Sequence, residues 1–203
     1  MSDQTNGLRE DISFIRSMAE QGRRGPLLGG VFLAAAGLIY GGAAFLHWGV
    51  ETGRIAVGLP YSDIWIGASV LFALVWVVLF LRLRRQPHAA VGASQFAFGS
   101  AWAASGVGIM VMIGAVAIAA DRLNVPQMLE LNALVAFAFY GVAWSVSAAL
   151  ARQRWMFAVG LAAFAITLLL AFMLHSSGEL LVFGAGLLLT LFVPGIKLML
   201  PSR

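Results

Sequence analysis

The stretch that decides the fold is REDISFIRSMAEQGRRGPLLGGVFLAAAG, which runs from Arg9 to Gly37. Its first half is crowded with charged residues, and its second half has none. The apolar residues continue past Gly37, so the stretch joins a charged segment to a long apolar run. A helix needs roughly 20 apolar residues to cross a hydrocarbon core of ~30 Å. The join therefore marks the point where the chain is predicted to enter a membrane.

The composition of the whole chain agrees with this prediction. Of its 203 residues, 61% are hydrophobic and 11% are charged, whereas a soluble domain has roughly 25% charged residues. The chain has no cysteine, which excludes disulfides, thiolate metal sites and cysteine nucleophiles. The formal net charge of +4 does not indicate nucleic-acid binding, because the basic residues lie in short groups between apolar runs.

Six apolar runs are long enough to span a bilayer. They are continuously apolar and do not alternate, which favours helices over a membrane barrel. We predict an all-α integral membrane protein, a six-transmembrane-helix bundle at 27–203 preceded by an amphipathic N-terminal helix at 1–26. Very short connections after the fourth and fifth runs predict that the last three helices are antiparallel neighbours. The predicted spans are 27–50, 64–83, 96–120, 130–151, 155–174 and 179–200.

The basic residues predict the orientation of these spans. Eleven of the 13 lie in segments that six antiparallel spans place on one side, and only Arg54 and Arg122 lie on the other. Basic residues are enriched on the cytoplasmic side of membrane proteins, so both termini are predicted to be cytoplasmic. The chain uses twelve arginines and one lysine and is rich in alanine, glycine and valine. This usage is typical of a GC-rich bacterial genome and so indicates an inner membrane.

The charged N-terminal segment does not have the pattern of a cleavable signal peptide. It contains four acidic residues, and no small-residue cleavage site follows its long apolar run. Helical spacing instead predicts an amphipathic helix with Asn6 as its N-cap. This helix can lie on the membrane surface or on its own bundle, or it can contact a partner protein. The contact residues would be Leu8, Ile12, Phe14, Ile15 and Met18.

Small residues recur four positions apart in three of the spans, a spacing that lets helix backbones approach closely in lipid. We interpret these rows as packing within one bundle, with a homo-oligomer seam as the alternative. The predicted packing residues are Gly37 and Gly41, then Ser100, Ala104 and Gly108, and finally Gly141, Ser145 and Ala149.

The middle of each span has no ionisable residue, although transport pathways and proton relays usually need one. Pro194 and Gly195 interrupt the sixth span, and the proline cannot donate a hydrogen bond to the carbonyl of Thr190. Transporter folds tend to break matching helices in both halves. The first half has no internal proline in a span, so we interpret Pro194 as a kink.

Polar residues collect at the predicted outer ends of the spans. Imidazoles and carboxylates there could hold a divalent metal such as zinc, or act as a general acid and base. Ordinary interfacial polarity is the simpler interpretation, and we predict no cofactor. The candidate ligands are His47, Asp121, Glu130, His175 and Glu179.

Three classes of function fit these features. The first is an accessory or structural subunit that acts through helix packing, with the N-terminal helix as its contact arm. The alternatives are a small transporter or channel, and a membrane enzyme or metal-binding protein with a site at the outer rim. The lack of ionisable residues in the middle of the spans and the amphipathic arm favour the first class. They therefore favour a protein that is not an enzyme. We expect the protein to contact the lipid bilayer and either a membrane protein partner or further copies of itself. We do not expect it to bind nucleic acid.

Overall fold

The computed structural model describes residues 29–84 and 93–200, and this part of the chain forms helices and no strand. The helices are α1 Gly29–Glu51, α2 Tyr61–Arg84, α3 Ala93–Leu123, α4 Leu131–Ala151, α5 Arg154–Met173, α6 Glu179–Leu187 and α7 Val193–Met199. A 3₁₀ turn at Pro126–Glu130 leads into α4, and a π turn at Leu188–Phe192 joins α6 to α7. We call α6, the π turn and α7 together the sixth span.

The described chain has six helices that are long and apolar enough to cross a membrane. This confirms the all-α fold class and the six spans, with ends that differ from prediction by a few residues. The largest extension is in α3, which covers Ala93–Leu123 where 96–120 was predicted. Hydropathy marks the apolar stretch, whereas the backbone stays helical through Asp121 and Arg122. The predicted amphipathic helix, with its contact residues 8, 12, 14, 15 and 18, lies outside the described residues.

Each helix of the bundle packs mainly against one or two neighbouring helices. The first helix packs between α2 and the sixth span, and the sixth span also packs against α5. In turn α5 packs against α4, and α4 packs against α3. The prediction that the last three spans are neighbours is therefore confirmed.

The main core lies where α4, α5 and the sixth span meet. Its fully buried members include Phe137, Trp144, Met156, Leu170 and Leu191. A smaller cluster of Ala43, Ile64 and Ala68 joins α1 to α2. Only 11% of the apolar stretch of α2 is buried inside the protein, against 39% for α1 and for the sixth span. The second helix is thus a peripheral element held mainly by α1.

Glycine brings the backbones of α1 and the sixth span into direct contact. A Cβ atom added at Gly37 would lie 2.5 Å from the backbone nitrogen of Phe192, in the π turn. A Cβ atom added at Gly195 would lie 2.6 Å from the backbone nitrogen of Ala34. Neither position has room for a side chain, so this interface depends on the absence of one.

Candidate functional site

A side chain from α4 supplies the hydrogen bond that is missing where the sixth span is interrupted. The indole Nε1–H of Trp144 donates to the Thr190 carbonyl oxygen over 2.8 Å, and both residues are fully buried. This carbonyl lies four residues before Pro194, which has no N–H to offer it. The Thr190 hydroxyl donates to the Gly186 carbonyl over 2.8 Å. The carbonyl freed by the proline is therefore hydrogen-bonded within the core.

Aromatic rings around Trp144 fix the position of its indole. Trp102 meets it edge-on with ring centroids 5.2 Å apart, and Trp155, in the first turn of α5, lies 5.7 Å away. Phe98 of α3 makes a third contact at 6.3 Å. Within the described residues, the buried Nε1 of Trp102 and the hydroxyl of Ser147 have no hydrogen-bond partner. These four aromatic rings thus join α3, α4 and α5 mainly through ring packing.

At the opposite end of the bundle, His47 connects α1 to α2. Its Nδ1 accepts a hydrogen bond from the Nε1–H of Trp65 over 3.1 Å. The ring of Tyr61 lies 4.4 Å from the imidazole, centroid to centroid. A histidine that accepts through Nδ1 carries its proton on Nε2 and is neutral. His47 therefore serves as a contact between two helices in this structure.

A second polar group lies at the same end, where α5 turns into the sixth span. The Nδ1 atom of His175 lies 3.1 Å from a carboxylate oxygen of Glu130. The backbone N–H of His175 donates to the Glu179 carboxylate over 3.0 Å. The indole of Trp48, at the end of α1, donates to the Ser177 carbonyl over 3.0 Å. These contacts hold the ends of α1, α4 and the sixth span together.

The five candidate metal ligands therefore do not form one site. Glu130, His175 and Glu179 come together, His47 contacts α2, and Asp121 is exposed at the end of α3. Across 29–84 and 93–200, no group of three or more histidine, aspartate or glutamate side chains is arranged to hold a metal ion. Metal binding at this rim stays a sequence-based prediction without geometric support from these residues.

The predicted packing residues fall into three sets. Gly37 and Gly41 face the sixth span, and a Cβ atom added at Gly41 would lie 3.4 Å from the Gly184 carbonyl oxygen. Other members join α4 to its two neighbours: Gly108 lies against Phe139, Gly141 lies against Phe164, and the Ser145 hydroxyl donates to the Gly141 carbonyl over 2.7 Å. Ser100, Ala104 and Ala149 are exposed at the surface of the bundle.

Two cation–aromatic pairs and the Trp144 hydrogen bond were not predicted from the sequence. Lys197 places its ammonium 4.3 Å from the ring centroid of Trp155, and at the opposite end Arg54 lies 4.6 Å from that of Trp48. The sequence pointed to the Thr190 carbonyl through Pro194, but nothing in it identified a donor 46 residues away. The available signal was Trp144 itself, because an indole inside an apolar run usually has a buried hydrogen-bond acceptor.

Comparison of the chain with family models, with curated proteins and with solved structures gave no match.

Proposed function

We propose that this chain is an accessory or structural subunit of a bacterial inner membrane, with both termini in the cytoplasm. It would act by packing against other membrane components and not by chemistry. Its N-terminal segment would be the contact arm, through Leu8, Ile12, Phe14, Ile15 and Met18.

The observation that carries this proposal is the hydrogen bond from Trp144 to Thr190. A broken membrane helix can present its free carbonyl to an ion or a substrate, but here a buried indole donates a hydrogen bond to that carbonyl. The two histidines within the described residues are used in the same way, since His47 contacts α2 and His175 contacts Glu130. These groups support a role in holding helices together, which is the work of a structural subunit.

The peripheral position of α2 supports the same role. Among the described residues, only 11% of its apolar stretch is covered, and the exposed side chains along it include Ile66, Val70 and Leu74. Helices associate in lipid through packing and not through the hydrophobic effect. A helix held mainly on one side leaves its other side free for lipid or for a helix of another protein.

The arm is tested by Ile12→Asp combined with Ile15→Asp in the full chain, purified from bacterial membranes in mild detergent. Loss of two buried aliphatic side chains removes about 3–6 kcal/mol of binding free energy. We expect mass spectrometry to find a stoichiometric protein partner with the parent chain and to find it lost from the variant. The thermal unfolding of the bundle should not change, because its core lies in 29–200.

A matched control places the same two charges on the opposite side of the arm, as Ser17→Asp with Gln21→Asp. This control should keep the partner. A parent chain that purifies without a stoichiometric protein, or two double variants that behave alike, would contradict the proposal.

A further inference from the structure

The described carboxylates all lie at one end of the bundle, where α1 and α3 end: they are Glu51, Asp63, Asp121, Glu130 and Glu179. The other end carries the exposed side chains of Arg82, Arg152, Arg154 and Lys197. Since the described residues place no carboxylate at that end, they provide no counter-ion for these four cations.

Three of these cations belong to one local surface. Lys197, near the end of α7, extends over Trp155 in the first turn of α5, with 4.3 Å from its ammonium to the ring centroid. Trp155 is fixed from below by its contact with Trp144 and from the side by a hydrogen bond to Gln153. Arg152 and Arg154 flank Gln153 in the turn between α4 and α5. The end of the sixth span and this turn therefore share one face.

Arg152 occupies a backbone conformation that usually belongs to glycine. It ends α4 with a φ of 53°, and its N–H donates to the Ala148 carbonyl. A left-handed residue at this position closes a helix, and glycine adopts it without steric cost. The chain places a long cationic side chain there instead.

We propose that the surface formed by Arg152, Arg154, Trp155 and Lys197, which we call the inner-end site, binds the phosphate headgroup of an anionic phospholipid. Guanidinium groups donate paired hydrogen bonds to phosphate oxygens, and an ammonium adds a compact positive charge. Tryptophan is favoured at the depth of the headgroups. Basic clusters between the ends of membrane helices recognise such headgroups. The lipid would supply negative charge that the described residues do not provide at this end, while its acyl chains stay against α5 and the sixth span.

The other end of the bundle contains a natural control. Arg54 lies over Trp48 with 4.6 Å from the guanidinium carbon to the ring centroid, which is nearly the same arrangement. That pair, however, lies three residues from Glu51 and at the end where the carboxylates collect. The inner-end site is therefore expected to bind anionic lipid, and the Arg54–Trp48 pair is not.

The test uses the purified full chain in neutral detergent, with phosphatidylglycerol and phosphatidylcholine of matched acyl chains, and native mass spectrometry of the bound lipid. We expect the parent chain to retain phosphatidylglycerol preferentially. Arg154→Gln and Lys197→Gln should each weaken this retention about fivefold, the factor for removing one basic residue near an anionic surface. Arg54→Gln should leave it unchanged.

Arg152→Gly separates lipid binding from folding. It removes a charge but suits the left-handed backbone, so lipid retention should fall while the melting temperature in phosphatidylcholine stays the same or rises. Glycerol phosphate at the lipid concentration should not displace the lipid. Equal retention of both lipids by the parent chain, equal losses in Arg54→Gln and Arg154→Gln, or displacement by glycerol phosphate would each overturn the proposal.

Discussion

Two glycines of α1 differ in whether the surrounding structure has room for a Cβ atom. A Cβ atom added at Gly37 would meet backbone atoms of the sixth span, with the nearest at 2.5 Å. A Cβ atom added at Gly42 would have nothing within 4 Å. Backbone cannot move aside as the tip of a side chain can, so the same substitution has different consequences at the two positions.

We expect Gly37→Ala to destabilise the bundle by about 1–3 kcal/mol, the usual cost of overpacking. Gly42→Ala serves as the matched control and should leave stability unchanged or slightly higher, because alanine is the better helix former. Thermal unfolding of the purified chain in detergent measures both. Equal melting temperatures for the two variants would show that α1 does not approach the sixth span this closely.

At the scale of elements, the sixth span works as one membrane-crossing unit although its hydrogen-bond pattern changes at the π turn. The N–H of Val193 donates to Leu188, five residues back. Trp144 then satisfies the Thr190 carbonyl that Pro194 leaves free. A buried carbonyl without a partner costs about 1–3 kcal/mol. The continuity of the span thus depends on a residue of α4.

Trp144→Phe should therefore destabilise the bundle, and Pro194→Ala should reduce that loss by restoring a backbone donor to Thr190. In a double-mutant cycle we expect a coupling free energy of about 0.5–3 kcal/mol between the two positions. The measurement is the unfolding free energy of the parent, the two single variants and the double variant. Strictly additive losses would mean that the indole hydrogen bond does not replace the proline's missing donor.

The sequence could predict the length of each helix, but it could not predict which helix packs against which. Bilayer thickness fixes the length of an apolar span, so all six helices were predictable from hydropathy alone. Apolar faces resemble one another, and hydropathy cannot say which face meets which. The carboxylate-rich end of the bundle shows this limit: His47 and His175 both end apolar runs, yet one contacts Trp65 of α2 and the other contacts Glu130. Only the packing order of the helices separates them.

For the whole molecule, the separation of charge along the bundle axis predicts its orientation in the membrane. The described carboxylates lie at one end together with Arg54 and Arg122, and the other end carries the described basic residues Arg82, Arg152, Arg154 and Lys197. Retention of positive charge on the cytoplasmic side would place the carboxylate-rich end outside. A chain without cysteine allows this to be tested with one introduced thiol at a time.

Cysteines placed singly at Thr52, Gln127 and Ser177 should react with a membrane-impermeant thiol reagent on intact cells. Cysteines at Gln86 and Gln153 should react only after the cells are permeabilised, which also controls for expression of each variant. Gel-shift or fluorescence labelling reads the result. Labelling of Gln86→Cys on intact cells would reverse the proposed orientation.

The contact between α1 and the sixth span also has a consequence for the order of assembly during synthesis. The partners of Gly37 at Leu187 and Phe192 lie about 150 residues later in the chain. A ribosome adding about 5–20 residues per second needs about 8–30 s to cover that distance. The glycine face of α1 therefore stays uncovered until the sixth span has been synthesised. A nascent chain that stops after α5 would leave that face open to the membrane's quality-control proteases.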